Sequence, residues 1–148
     1  VKSENVIVCD RKGVIYKGRK ELDKFKSAHA SDTKKRTLQE ALKNVPEVDI
    51  YQLKEKIENN KQIRLIDIRE DREWVSGRIP SAYHIGRGVL EKGILEVADS
   101  EDEIILYCAS GFRSVLGSKS LKEMGFKNVF SLKGGITDWI TAGFEIEE

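Results

Sequence analysis

Apolar residues along this chain gather in short runs, and the spacing within the runs changes from one to the next. Ile104-Ile105-Leu106-Tyr107 shows no alternation with polar residues, the pattern of a strand buried on both faces, as in a parallel sheet. The run stops at Cys108 and gives way to the small loop Ala109-Ser110-Gly111-Phe112-Arg113-Ser114. Beyond it Gly117, Leu121 and Met124 share one helical face, bordered by Leu116 and Ser120. Strand, tight loop, helix is the predicted order. Upstream, Asp49 caps a helix with Ile50, Leu53 and Ile57 on one face, and Gln52 completes a capping-box arrangement. Asn59-Asn60 ends that helix, and residues 63–68 read as the next strand. Glu73-Trp74-Val75 makes a helical turn closed by Gly77, with Trp74 as a core filler. Residues 79–85 lead into another strand, and residues 86–95 form a glycine-punctuated connection with room for a short helix. Residues 100–103 are a solvated acidic turn. Gly125 suits a left-handed C-cap with Phe126 folding back on the core. Val129, Phe130 and Leu132 give a last strand, Gly134-Gly135 a turn, and Ile136, Trp139 and Ile140 a closing helix. This alternation implies an α/β fold: a mostly parallel sheet with helices on both faces.

Ahead of Pro46, which marks a boundary, the pattern is thinner. Asn5-Val6-Ile7-Val8-Cys9-Asp10 reads as a strand, Asp10-Arg11-Lys12-Gly13 as a turn, and Val14-Ile15-Tyr16 as a second extended piece. Leu22, Phe25 and His29 share a face of the helix that follows. Thr37-Leu38-Gln39-Glu40 has the form of a capping box starting a separate short helix through Leu42. The expected organisation is a short N-terminal α/β segment, residues 1–45, and a main domain, residues 46–148.

Composition narrows the function classes. The chain has 148 residues, 39% of them apolar, enough for one ordinary domain plus an appendage. Its 26 basic and 25 acidic residues nearly cancel, so there is no electrostatic case for nucleic acid or an anionic membrane as partner. No apolar run approaches the ~20 residues of a spanning helix, and nothing at the start resembles a secretory signal. The expectation is a soluble, cytoplasmic protein; its start at Val1 is that of a processed, cloned or fragmentary chain. The two cysteines, Cys9 and Cys108, and the two histidines are scattered without ligand spacing, so no metal and no cofactor is called for.

The chemistry points to Cys108. A sulfur at the carboxyl end of a central strand faces loop N–H groups and the positive end of the following helix dipole, an arrangement that holds anions and favours thiolate over thiol. Arg113 adds a full positive charge for a bound oxyanion, which gives Cys108 the setting of a nucleophile. Asp67 and Arg69 flank Ile68 at another strand's carboxyl end, where α/β sheets place their sites. They either brace the Cys108 pocket or form an ion pair fixing the loop to Glu70, Asp71 or Arg72; the structural reading is favoured. His84 lies in an alternating strand, where a hydrogen-bonded structural role is expected.

Several blocks in order carry a resemblance to the rhodaneses: Leu65-Ile66-Asp67-Ile68-Arg69-Glu70, Gly77-Arg78-Ile79-Pro80-Ser81-Ala82, the loop 108–114, Met124-Gly125-Phe126, and Leu132-Lys133-Gly134-Gly135 ahead of Trp139. The resemblance covers about residues 49–148. It departs at Arg78, where histidine is common, and at Ser81, where glycine is common. It implies a rhodanese-like sheet and a persulfide on Cys108: a sulfane sulfur taken from a small anionic donor such as thiosulfate and passed to a thiol or cyanide. Residues 109–114 would bind the donor. The rivals are a cysteine phosphatase or arsenate reductase, whose loops hold five residues between cysteine and arginine against four here, and a non-catalytic rhodanese-like interaction module.

Residues 5–45 resemble a piece of the malic enzyme NAD-binding domain, just after its glycine loop. The matching residues are Val8-Cys9-Asp10, Gly13-Val14-Ile15-Tyr16-Lys17-Gly18-Arg19, the helix 25–30, Arg36-Thr37-Leu38 and Glu40-Ala41-Leu42. Asp10 would bind the cofactor ribose in such a unit. Dinucleotide chemistry is not expected, because no G-x-G-x-x-G precedes Asp10, no third strand is evident, and about 45 residues are too few to bury a core alone. The segment's apolar residues, among them Val6, Ile7, Val8, Ile15, Leu22 and Phe25, must be covered by the main domain or by a second chain, which leaves a homodimer open.

Overall fold

The computed structural model describes residues 7–9, 13–59 and 62–148. By internal contacts the chain divides into residues 1–39 and 40–148. In the first unit β1 (Ile7–Cys9) pairs antiparallel with β2 (Ile15–Lys17), Val8 opposite Tyr16, and α1 (Gly18–Leu42) follows. Helix α1 runs without a break through residues 37–40. The Thr37 hydroxyl donates to the Thr33 carbonyl one turn back at 2.8 Å, so it is a mid-helix residue and not the cap of a new helix. Ile7, Val14 and Ile15 are exposed. Asp10 lies outside the described residues, and the Leu22, Phe25 and His29 face lies outside the described side chains.

The second unit is built on five parallel strands in the order β3-β7-β6-β4-β5, with β3 at Glu47–Val48, β4 at Arg64–Asp67, β5 at Tyr83–His84, β6 at Glu103–Tyr107 and β7 at Asn128–Leu132. Strand β6 sits in the middle, paired with β4 (Ile66 opposite Leu106) and with β7 (Ile105 opposite Phe130). Its unalternated apolar run follows from that position, because both of its faces are covered. Ile104, Leu106 and Cys108 pack with Ile66 and Ile68 into one core, completed by Leu90 and Ile94 of α4 (Leu90–Val97) and Leu121 of α5 (Phe112–Glu123). Ile105 and Tyr107 pack with Leu65 into the other, against Ile50 and Leu53 of α2 (Ile50–Asn59) and Ile136 and Trp139 of α6 (Gly135–Thr141). The helices thus cover both faces, and the period of two along β6 decides which core each side chain enters.

Local chemistry sets the joints. Asp49 Oδ1 accepts from the Gln52 N–H and Gln52 Oε1 from the Asp49 N–H, each at 2.8 Å, so the capping box opens α2 as expected. A second box, between Glu70 and Glu73, opens α3 (Asp71–Ser76). Helix α5 buries Ser114, Val115, Gly117, Ser118 and Leu121, while Met124, expected on that face, is exposed. A side chain at position 117 would put its Cβ 3.0 Å from Leu90 Cδ2 and 3.2 Å from Leu106 Cδ1, so glycine there lets α5 lie against the sheet. Ser81 takes φ 73°, the left-handed conformation that glycine adopts most readily. Among the described residues no helix is long and apolar enough to cross a membrane.

Candidate active site

Cys108 comes directly after β6, on the side of the sheet that α5 covers, and it is 1% exposed. The chain then turns back on itself at Gly111, whose φ of 108° no other residue type adopts readily, and the Gly111 N–H donates to Cys108 Sγ at 3.2 Å. The Cys108 thiol is 3.5 Å from Ser114 Oγ, the Ser114 hydroxyl donates to the Gly111 carbonyl at 3.2 Å, and Ser114 Oγ and Ser131 Oγ are 2.8 Å apart. A hydroxyl has one proton to give. With that proton on the Gly111 carbonyl, Ser114 accepts from Ser131 and from the thiol; turned toward an ionised sulfur, it becomes a second donor beside the Gly111 N–H. Ser131 was not among the residues read as functional. Its signal is a lone hydroxyl in the apolar strand Val129-Phe130-Ser131-Leu132, fully buried in β7.

The other side of the loop is clamped. Ile136 N–H donates to the Cys108 carbonyl and Thr137 N–H to the Ala109 carbonyl, both at 3.0 Å, so the start of α6 holds the strand end in place. A Cβ at Gly135 would fall 2.4 Å from the Cys108 oxygen and 2.5 Å from the Ala109 oxygen, at a φ of 58°. Of the remaining loop residues, Ser110 is exposed, and Ala109 and Phe112 are half-buried.

Arg113 is tied more closely than its sequence position shows. Its two terminal nitrogens donate to Glu73 of α3, Nη1 to Oε1 at 2.9 Å and Nη2 to Oε2 at 3.1 Å. The Glu73 hydrogen bond raises the Arg113 pKa, and Cys108 adds to it both as a charge and as a hydrogen-bond partner. Arg113 is therefore held at its fork by Glu73, five residues along the loop from Cys108. In turn, the Arg113 hydrogen bond holds the Glu73 carboxyl at about 2, against the opposing effect of burial, and the Glu70 N–H, 3.1 Å from Glu73 Oε1, lowers it further. Glu73 was missed because it lies 40 residues from Arg113 inside the charged stretch Arg69-Glu70-Asp71-Arg72-Glu73, where any one carboxylate looks solvated.

Asp67 and Arg69 pair with each other, not with Glu70, Asp71 or Arg72. Arg69 Nη2 donates to Asp67 Oδ2 at 2.7 Å, Nε lies 3.1 Å from both carboxylate oxygens, and Nη2 also reaches the Gly77 carbonyl at 2.6 Å. Asp67 is 0% and Arg69 6% exposed. Asp67 shares its parity along β4 with Leu65, so it faces the Tyr107 side of the sheet, opposite the Cys108 sulfur. The Ile79 N–H donates to the Tyr107 hydroxyl at 3.1 Å, and burial, reinforced by the Asp67 charge, pushes the Tyr107 pKa far up. The pair braces the turn after α3. His84 has Nε2 2.9 Å from the Arg69 carbonyl and its ring stacked on Trp74 at 4.9 Å. Trp74 is not a core filler: it is half-buried, with His84 on it and the Arg78 guanidinium 4.7 Å from the ring.

A cysteine at the carboxyl end of the central strand of a parallel sheet, with a tight loop folding back on its sulfur, defines a cysteine-loop α/β domain. Residues 49–142 match the family model of the Rhodanese-like domain, and the chain belongs to that family. It is 41% identical to the Bacillus subtilis protein YtwF over 95 residues, covering 64% of this chain and 90% of that one. It is 30% identical to the thiosulfate sulfurtransferase GlpE of Coxiella burnetii over 97 residues, 66% of this chain and 86% of the other. The match to YrkF of Bacillus subtilis, 33% identical over 96 residues and 65% of this chain, spans only 51% of that longer protein. Among solved structures, a Rhodopseudomonas palustris protein of unknown function, described as a possible tyrosine phosphatase, superposes with a TM-score of 0.70 at 30% identity over 77% of this chain and 93% of its own.

Proposed function

We propose that this protein is a sulfurtransferase that carries a sulfane sulfur on Cys108. The observation that supports it most is the buried Cys108 Sγ at the end of β6 with the Gly111 N–H 3.2 Å away, in a loop that places four residues between cysteine and arginine. In the first half-reaction the Cys108 thiolate attacks the outer sulfur of an anionic donor such as thiosulfate. The donor's S–S bond breaks, sulfite leaves with the electron pair, and a persulfide forms on Cys108. An acceptor thiolate or cyanide then attacks the outer persulfide sulfur and Cys108 leaves as thiolate, so no net oxidant is needed. The Gly111 N–H and the Ser114 hydroxyl, 3.2 and 3.5 Å from Cys108 Sγ, stabilise the charge on the sulfur. Residues 1–45 contribute none of these groups and are proposed to be dispensable for the chemistry.

The assay is thiosulfate:cyanide sulfur transfer by the wild type and Cys108→Ser. Activity is expected in the first and absent in the second; a serine variant that keeps its turnover overturns the assignment. The description carried by the Rhodopseudomonas neighbour motivates a parallel assay on a small aryl phosphate. Phosphate release exceeding sulfur transfer would replace the proposal with the phosphatase reading.

A further inference from the structure

We propose that Glu73 sets the charge preference of the Cys108 site, favouring sulfur donors of low charge over dianionic ones. This rests on the sulfurtransferase reading and deepens it. An arginine fork can bind two oxygens of a sulfonate side by side, but here that edge is filled by a carboxylate of matching geometry, at 2.9 and 3.1 Å. Glu73 is held there from its own side as well, because Oε1 accepts the Glu70 N–H at 3.1 Å and the Glu70 side chain accepts the Glu73 N–H. Arg69, on the neighbouring strand end, is committed to Asp67 and the Gly77 carbonyl.

The charges of Arg113 and Glu73 therefore cancel on the loop that carries the nucleophile. A thiosulfate dianion must displace Glu73, leaving a carboxylate unpaired next to two further negative charges, or bind without the fork. A small alkyl persulfide meets neither penalty. With such a donor the Cys108 thiolate attacks the outer sulfur, the donor's S–S bond breaks, the alkyl thiolate leaves with the electron pair, and the same persulfide forms on Cys108.

The test is the rate of single-sulfur addition to Cys108, followed by intact-protein mass spectrometry, with thiosulfate and with the persulfide of 2-mercaptoethanol as donors. Glu73→Gln removes the charge and keeps an oxygen for the Glu70 N–H. It is expected to raise the thiosulfate-to-persulfide ratio of kcat/KM about fivefold, the upper range for a half-exposed pair, chiefly through a lower KM for thiosulfate. Glu73→Asp keeps the charge and is expected to keep the wild-type ratio. Where Glu73→Gln fails to fold, the pair Arg113→Ala and Arg113→Ala/Glu73→Gln reads the same effect, with the double variant the faster on thiosulfate. A ratio that stays or falls in Glu73→Gln, or rises equally in Glu73→Asp, overturns the inference while leaving sulfur transfer intact. Wild-type protein that takes sulfur from neither donor overturns the sulfurtransferase reading itself.

Discussion

Arg69 and Arg113 each meet a carboxylate near the carboxyl ends of the neighbouring strands β4 and β6, yet the two pairs are built differently. Arg69 and Asp67 are sealed, with side chains 7% and 0% exposed, and the guanidinium's remaining reach goes to the Gly77 carbonyl. Arg113 and Glu73 stand partly in water, at 34% and 25%, with the arginine in the same loop as Cys108. Residue types do not separate the two pairs, since both are arginine with an acid. Burial does. A sealed pair whose every partner is internal can hold a turn but cannot meet a ligand, whereas a half-open pair beside a nucleophile can exchange partners.

The contrast breaks most visibly at Arg69. Arg69→Ala leaves Asp67 charged and unpaired in the core and is expected to cost ~3–5 kcal/mol of folding stability, measured by denaturant unfolding. The fraction that remains folded should still load sulfur on Cys108; loss of loading in folded protein would place Asp67 and Arg69 in the site after all. Arg113→Ala should behave in the opposite way, shifting stability by less than ~1 kcal/mol because the pair is half-exposed. Its kcat/KM for thiosulfate should fall by a factor equivalent to ~1.5–3 kcal/mol, because Glu73 is then left unpaired against the dianion, with Arg113→Lys recovering only part, since a point charge does not reproduce the fork that holds Glu73. A large stability loss with unchanged kinetics would make this pair structural too.

Acid titration sharpens the same comparison. Glu73 titrates at about 2 in the folded protein against 4.5 as its ordinary value, so the folded state binds fewer protons in that window. The stability it contributes is fully present above 4.5 and is lost as pH falls toward about 2. Arg113→Ala should flatten the fall in stability across that range, read from thermal unfolding at successive pH values. The smallest contrast lies between two buried serines of the Cys108 side. Ser131→Ala removes the 2.8 Å partner of Ser114 and is expected to cost about 1 kcal/mol. Among the described residues Ser118 Oγ is buried without a hydrogen-bond partner, so Ser118→Ala should be neutral or stabilising by the same thermal measurement.

Much of the fold was legible because it rests on local pattern. The apolar run 104–107 announced a strand covered on both faces, and Asp49 with Gln52 announced the start of α2. Thr37-Leu38-Gln39-Glu40 carried the same kind of signal and misled, because a capping box opens a helix only where the chain before it is not already helical, and α1 is. The nucleophile candidate was legible from its position at a strand end, but its charge environment was not. Glu73 reaches Arg113 across 40 residues, and Ser131 reaches Ser114 across 17, and no local period records either approach. Asp67 and Arg69 were visible as charges at a strand end; only the alternation along β4 shows that Asp67 points to the face away from the sulfur.

The central claim is that Cys108 accepts a sulfur atom from a sulfane donor and holds it. Intact-protein mass spectrometry after incubation with thiosulfate and removal of excess donor, followed by peptide mapping, tests this most directly. The account predicts one added sulfur atom, located on Cys108, removed by cyanide and absent in Cys108→Ser. An unmodified Cys108, or a sulfur adduct that persists in Cys108→Ser, would contradict it.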